Sequence, residues 1–355
     1  MTSALTASTA APPMAPRVER FSGTADEWDS FVREQPAATH CHLHGWRTVL
    51  ERVFGHQCVY LAARDASGAL QGVLPLVRVR SVVFGHYLVS VPFLNYGGPV
   101  GTDEAVRALA IEASHLATRD RVKLLELRSR GPLPLGLPVS HRKITVVLDL
   151  PETPELLMKR FDAKLRSQVR RPQKEGVTVA FGPERRADFF RVFAHHMRDL
   201  GTPTQPLALF DAIADVFADD VWFGVAYLNG EPIAGGCGFR FRGEFEMTWA
   251  SALRAFNRVS PNMLLYWACM ERSIREGLTT FNFGRCSPGG GTHRFKQQWG
   301  ARDEPLWWYT QAAAGGRAST PTPDDAAFSW GPRAWQRLPL PLATALGPWI
   351  VRYIP

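Results

Sequence analysis

The chain has 355 residues, 45% of them hydrophobic and 21% charged. At roughly 100–200 residues per domain it is too long for one average domain, and its balance excludes a disordered, collagenous or coiled-coil chain for its bulk. Basic residues outnumber acidic ones by 16 to 13 over residues 1–150, by 21 to 18 over 151–311 and by 4 to 2 beyond, so the formal charge of +8 is spread rather than gathered into a nucleic-acid footprint. In chain order, residues 1–19 read as a disordered leader with no basic residue before Arg17 and no apolar core. A helix start follows at Thr24 to Trp28, and a second helix after His44 carries Trp46, Val49, Leu50 and Val53 at helical spacing. Val59–Ala63 and Gln71–Val79 flank the turn Asp65–Gly68 and read as a hairpin; residues 103–119 read as an amphipathic helix and Lys123–Arg128 as a buried strand.

The second half repeats that grammar. Val221–Leu228 and Ile233–Phe241 flank Asn229-Gly230, a strong hairpin signal, and are followed by a strand at Phe245–Ala250, a helix at 261–276 and a strand at Thr280–Phe283. Gly72 and Gly235 lie 163 residues apart, Glu126 and Asn282 lie 156 apart, and both pairs hold matching places in the pattern, which suggests an internal duplication. Between the halves lie a basic segment, 159–174, and a helical stretch, 184–200. Hairpin, strand, helix, strand is the order of a GNAT-type acyltransferase fold. The fold class expected is therefore α/β (an α+β mixed sheet), as tandem GNAT-like folds at 20–150 and 151–311, with residues 312–355 a linker and an apolar C-terminal segment.

The five cysteines form no CxxC pair, which argues against a disulfide framework or a zinc ribbon and suits a reducing cytoplasm. No stretch reaches the roughly 20 apolar residues of a membrane span. His40, His42 and His44 alternate, but they precede a helix without a ligand cluster at metal spacing, so packing and capping are preferred and no metal is expected.

Residues 281–301 carry the most chemistry. A buried strand ends at Gly284; Arg285 follows, then Gly289-Gly290-Gly291, then a short helix with Phe295, Lys296 and Trp299. A strand end and a glycine loop are where mixed sheets commonly place ligands. Arg285 and Lys296 could there steady the charge of a tetrahedral acyl intermediate or of a substrate phosphate; the plainer alternative is a tight connection and a solvated lysine. Elsewhere, Asn95 and Tyr96 offer polar handles beside Gly97-Gly98-Pro99, and Arg198, Asp199 and Thr202 lie in a second loop, with Asp199 a candidate general base. Arg166 and Arg170 share a helix face of the basic segment and suit a phosphate-rich substrate. Ser260-Pro261-Asn262 opens a helix with no acid in its first turn, leaving that end, and Asn262, open to an anion.

PheAsnPheGlyArg followed by GlyThrHisArgPheLysGlnGlnTrpGlyAla resembles the C-terminal signature of FemAB-related proteins, in the branch associated with exosortase (PEP-CTERM) and exopolysaccharide loci. The likeness extends to ValProPheLeuAsnTyrGlyGlyPro (91–99), to 165–177, to HisMetArgAspLeuGlyThrPro (196–203) and to 260–267, over roughly residues 20–350. The resemblance implies tandem GNAT-like folds and places the Phe295-Lys296 pair at the transfer site. Two features depart from the known patterns: no long charged helical arm of the kind thought to help bind tRNA, and no Gln/Arg-x-x-Gly-x-Gly/Ala acyl-CoA signature. Thr102 is instead followed by Asp103 and Glu104, which already complement that helix N-terminus.

The function expected is a cytoplasmic FemAB-like acyltransferase that moves an aminoacyl or acyl group by direct transfer onto an amine or hydroxyl of a cell-envelope glycan, peptidoglycan or exopolysaccharide precursor. Lys296, Arg285 and Asp199 are expected to be catalytic, and Asn95, Tyr96, Arg166, Arg170, Arg198, Thr202, Asn262 and Phe295 to bind substrate. No cofactor is expected; the donor would be aminoacyl-tRNA or acyl-CoA, the acceptor a small-molecule or lipid-linked glycan. The uncharged run 338–351 either docks on the body or touches a membrane surface. The alternatives are an acyl-CoA-dependent GNAT N-acetyltransferase and a non-catalytic glycan- or lipid-carrier-binding component of an exopolysaccharide or protein-sorting system.

Overall fold

A computed structural model describes residues 15–81, 85–313 and 330–354. The first half runs β1 (Arg17–Arg20), α1 (Ala25–Glu34), α2 (Gly45–Phe54), β2 (Gln57–Arg64), β3 (Leu70–Ser81), β4 (Gly85–Ser90), β5 (Val100–Gly101), α3 (Asp103–Arg119), β6 (Leu124–Ser129), β7 (Val139–Ser140) and β8 (Ile144–Asp149). The second runs α4 (Pro154–Arg160), α5 (Ala163–Lys174), β9 (Thr178–Phe181), α6 (Arg186–Leu200), α7 (Leu207–Val216), β10 (Val221–Leu228), β11 (Glu231–Phe241), β12 (Glu244–Ala252), α8 (Pro261–Arg275), β13 (Thr280–Cys286), α9 (Gly291–Gln297), β14 (Arg302–Pro305) and β15 (Trp307–Ala312). Helices α10 (Trp330–Gln336) and α11 (Leu340–Val351) complete the described chain. Of the expected leader, residues 1–14 lie outside the described residues, and residues 17–19 belong instead to β1, which pairs antiparallel with β2. The expected linker at 315–323 also lies outside them.

Local chemistry sets these elements. Thr24, Thr102, Thr153 and Asp162 each accept a backbone N–H at the start of α1, α3, α4 and α5, and Pro261 takes the first turn of α8. Asn229 and Gly230 both adopt positive φ, closing the β10–β11 hairpin in the geometry that Asn-Gly favours.

Two mixed sheets result, and their seven-strand paths match strand for strand; the first also carries β5, paired with β3 off that path. One has the order β1-β2-β3-β4-β6-β15-β7 and the other β9-β10-β11-β12-β13-β8-β14. In each, one pair is parallel, β4 with β6 and β12 with β13. The last Cα pair of the first is Val89 with Glu126, and of the second Glu246 with Asn282. Glu126 and Asn282 are thus equivalent. Gly72 and Gly235 are not: a Cβ on Gly72 would meet Ala105 of α3 at 2.8 Å, whereas one on Gly235 would meet Phe189 of α6 at 3.2 Å. Helix α3 corresponds to α8 and α6 to a helix before the hairpin, so the two glycines face different helix layers.

The boundary expected at residue 150 is crossed by exchange. β8, which closes the first half, pairs with β13 in the second sheet, and β15, which closes the second half, pairs with β6 in the first. The cores follow: one cluster joins Trp28, Trp46 and Tyr60 of the first half to Phe210, Phe223 and Phe239 of the second, and another lies under α8 around Phe281, Phe283 and Trp299. Among the described residues, no helix is long and apolar enough to cross a membrane.

Candidate active site

Strands β12 and β13 pair only from Glu244/Thr280 to Glu246/Asn282 and then diverge. Gly284 makes the divergence. Its φ of 72° is left-handed, and an added Cβ would come within 2.6 Å of the Met247 carbonyl oxygen. Into the opening run Met247 to Ala250 of β12 and Phe283 and Arg285 of β13. They line a cavity of about 810 Å³ together with Asn95, Phe193, Thr202, Gln205, Thr292 and Lys296. Helices α10 and α11 and the connection between them cover it with Trp335, Leu338, Ile350 and Val351.

Lys296 reaches this cavity from α9. Its ammonium donates to the Gly284 carbonyl at 2.7 Å and to the Arg285 carbonyl at 3.1 Å, which uses two of its three protons. Burial, reinforced by the charge of Arg285, lowers its pKa to about 8. The preceding loop is pinned by His293, whose Nδ1 accepts the Gly289 N–H at 2.9 Å while Nε2 lies 2.8 Å from Asp303.

Arg285 stacks on Trp308 of β15 at 5.1 Å from the ring centroid, and Arg128 covers the same ring at 4.7 Å. Arg128 is neutralised by Glu126 at 2.7 Å and donates to the Leu94 carbonyl. Arg285 has neither ion pair nor hydrogen-bond acceptor among the described residues. Burial first, and the neighbouring Arg128 second, bring its pKa down to about 10.

Asn95 is held by Glu246, to whose Oε1 it donates at 2.5 Å; the other carboxylate oxygen lies 3.2 Å from His40 Nε2. Burial alone would raise the Glu246 carboxyl, but His40 and the Asn95 hydrogen bond hold it below its ordinary value. Burial opposes the charge of His40, yet Cys41 and Glu246 raise it to about 10. Cys41, His40 and Glu246 bring three ligand-type atoms within 4.8 Å of one another. His42 is different: burial lowers it to about 4, and its nitrogens meet the Thr39 N–H and the Gly98 carbonyl, the capping role expected for this segment.

Lys296, Arg285, Asn95 and Thr202 therefore converge on one cavity, and the other expected residues stand elsewhere. Asp199 does not line this cavity. Its carboxylate is taken by Arg198 at 2.8 Å, the cavity wall holds no carboxylate among the described residues, and Arg198 itself turns to the Leu338 carbonyl. The Tyr96 hydroxyl is fully buried and accepts from Asn282 at 3.1 Å. Phe295 packs on Tyr266 with ring centroids 5.0 Å apart, as part of the core rather than of the cavity. Arg166 donates to the Phe161 carbonyl, Arg170 is exposed on α5, and the Asn262 Oδ1 at the start of α8 is buried without a partner among the described residues. Sequence reasoning missed Glu246, Thr248 and Gln205, and the C-terminal wall. Only the uncharged run at 338–351 signalled any of these, as a segment with an apolar face to bury.

Residues 159–297 match the family described as Acetyltransferase (GNAT) domain. No curated protein matches the sequence. Among solved structures, FemX superposes with a TM-score of 0.63 at 16% identity, covering 82% of this chain and 97% of FemX. The C-terminal domain of a putative lysylphosphatidylglycerol synthetase from Agrobacterium fabrum gives 0.55 at 14%, covering 82% and 92%. A tandem GNAT protein from the clavulanic acid biosynthesis pathway gives 0.51 at 12%, covering 86% and 100%. The fold is a FemAB-like tandem GNAT fold. The domain matched within that fold, at residues 159–297, is that of the GNAT acyltransferases.

Proposed function

We propose that this protein transfers an aminoacyl or acyl group directly onto an amine or hydroxyl of a cell-envelope glycan, peptidoglycan or exopolysaccharide precursor, in the cavity between β12 and β13. The observation that carries the reading is the convergence there of Arg285, which has no acceptor among the described residues, and Lys296, which keeps one ammonium proton to give. Both are placed to stabilise the oxyanion formed when an acceptor amine attacks the donor carbonyl. The C–N bond forms with the oxyanion; the donor's ester C–O or thioester C–S bond breaks as the oxyanion collapses, and the amine's proton leaves with the alcohol or thiol. With no carboxylate in the wall, that proton passes to the leaving group or solvent rather than to Asp199. The cavity wall offers no cysteine or serine as a covalent nucleophile among the described residues, which supports transfer within a ternary complex.

Aminoacyl-tRNA is the donor preferred by the likeness to FemX. Acyl-CoA is the second reading, supported by the start of α8, a 15-residue helix with no acid in its first turn and no side-chain cap on its first N–H groups. Contact with a membrane surface fits the outer face of α11, which exposes Leu342, Leu346 and Trp349.

The test is a transfer assay with charged and uncharged tRNA and with acetyl-CoA, run beside donor binding by calorimetry. Wild type is expected to consume one donor class, with Lys296→Ala and Arg285→Gln each lowering turnover by about 10²–10³ while melting as wild type does. Binding of a nucleotide or polyprenyl diphosphate sugar with neither donor bound nor consumed would replace the enzyme reading by the binding-component one.

A further inference from the structure

The cavity has two unlike ends. Its polar end is built by β13 and α9, with Arg285, Thr292 and Lys296. The rest of the wall is mainly aromatic and aliphatic, with Phe93 and Phe193 from the body and Trp335, Leu338 and Val351 from the C-terminal segment, and its polar side chains include Asn95, Thr202, Gln205 and Thr248. A sugar or peptide enclosed there would leave many of its polar groups unpaired, at a cost of about 1–3 kcal/mol each. The wall answers with few polar side chains, and two of them are without a hydrogen-bond partner among the described residues, at Thr248 Oγ1 and Gln205 Oε1. Such a space matches a molecule with one polar head and a long apolar remainder, and its volume of about 810 Å³ is in the range of sites that enclose a small molecule.

We infer that the cavity binds a hydrocarbon-tailed amphiphile, its carbonyl or phosphate head against Arg285 and Lys296 and its tail in the apolar chamber beneath α10 and α11. The inference rests on the acyl-transfer reading for its chemistry but not for its binding. The tail belongs either to a long-chain acyl thioester donor or to a lipid-headed acceptor; the chamber recognises what the two share. Burying a methylene favours binding roughly three- to fourfold, so the dependence on chain length is large enough to read directly.

The experiment measures binding to the full chain by calorimetry, below micelle-forming concentrations. It uses dodecanoyl-CoA against acetyl-CoA for a thioester source, and dodecyl phosphate against inorganic phosphate for a lipid head. The expected result is that the longer member of at least one pair binds thirtyfold or more tighter, and the responding pair identifies the source. In Ala250→Phe and Ala334→Trp, which add bulk to the cavity lining from β12 and from α10, the ratio within that pair should fall toward one; two variants guard against one that misfolds. Equal affinities within both pairs, or a ratio unchanged in both folded variants, would overturn the inference. Transfer without tail dependence would sink this inference and leave the proposed function standing. Tail dependence without transfer would do the reverse.

Discussion

Buried charges in this protein are either neutralised or left open toward the cavity, and the distinction separates scaffold from site. The His40–Glu246 pair belongs to the first kind. His40 is raised from 6.5 to about 10 and Glu246 is lowered from 4.5. Stability from the histidine is therefore fully present below about pH 6.5 and is lost as pH rises toward 10, while that from Glu246 is lost as pH falls below its ordinary value. Denaturant titrations should show wild type most stable at mildly acidic pH and weakening steadily from pH 7 to 10. In His40→Gln the slope between pH 7 and 9 should flatten, leaving the loss above pH 9 that the buried thiols Cys58 and Cys269, both raised from 9.0 to about 12, contribute; an unchanged slope between pH 7 and 9 would show that His40 is not the group responsible. Breaking the pair from the other side, as Glu246→Ala, should cost about 3–5 kcal/mol and remove the acceptor that holds Asn95 in the cavity wall.

Element geometry shows why part of the site was legible in the sequence and part was not. The segment 281–301 announced itself because a strand end, a glycine run and two cations lie within a few residues, and Arg285 and Lys296 do share the cavity. The loop that holds Asp199 gave no direction for its carboxylate, which the adjacent Arg198 binds away from the cavity wall. Glu246 was invisible because an alternating strand pattern does not distinguish a buried acid from one facing solvent until its partners, His40 and Asn95, arrive from 206 and 151 positions away. Gly284 carries the geometry of the opening. Gly284→Ala must adopt a left-handed backbone and displace the Met247 carbonyl, so it should cost about 2 kcal/mol or more. It should also misdirect the carbonyl that Lys296 holds, lowering turnover more than melting temperature. A variant as active as wild type would show that the opening does not depend on this residue.

At the scale of the whole molecule, the repeated hairpin, strand, helix and strand pattern made the duplication readable, while the exchange of β8 and β15 left no mark in it. Either strand reads the same whichever sheet receives it, because both are short apolar runs whose partners are chosen by tertiary packing. The exchange makes each half depend on the other. Residues 1–150 expressed alone should lack a completed sheet and remain aggregated or proteolytically sensitive, as should residues 151–355, whereas the whole chain should unfold in a single calorimetric transition. Two well-separated transitions, or a folded isolated half, would show that the sheets are independent.

The same exchange orders events in time as the chain is made. The β6 edge of the first sheet has to wait for β15, which ends at residue 312 while β6 ends at residue 129. At 5–20 residues per second, that edge stands open on the ribosome for roughly ten to forty seconds. Throughout that interval its unpaired backbone is a template for any other nascent strand. Slow synthesis or crowded polysomes should therefore penalise the yield of this protein more than that of a duplicated fold whose halves close one after the other.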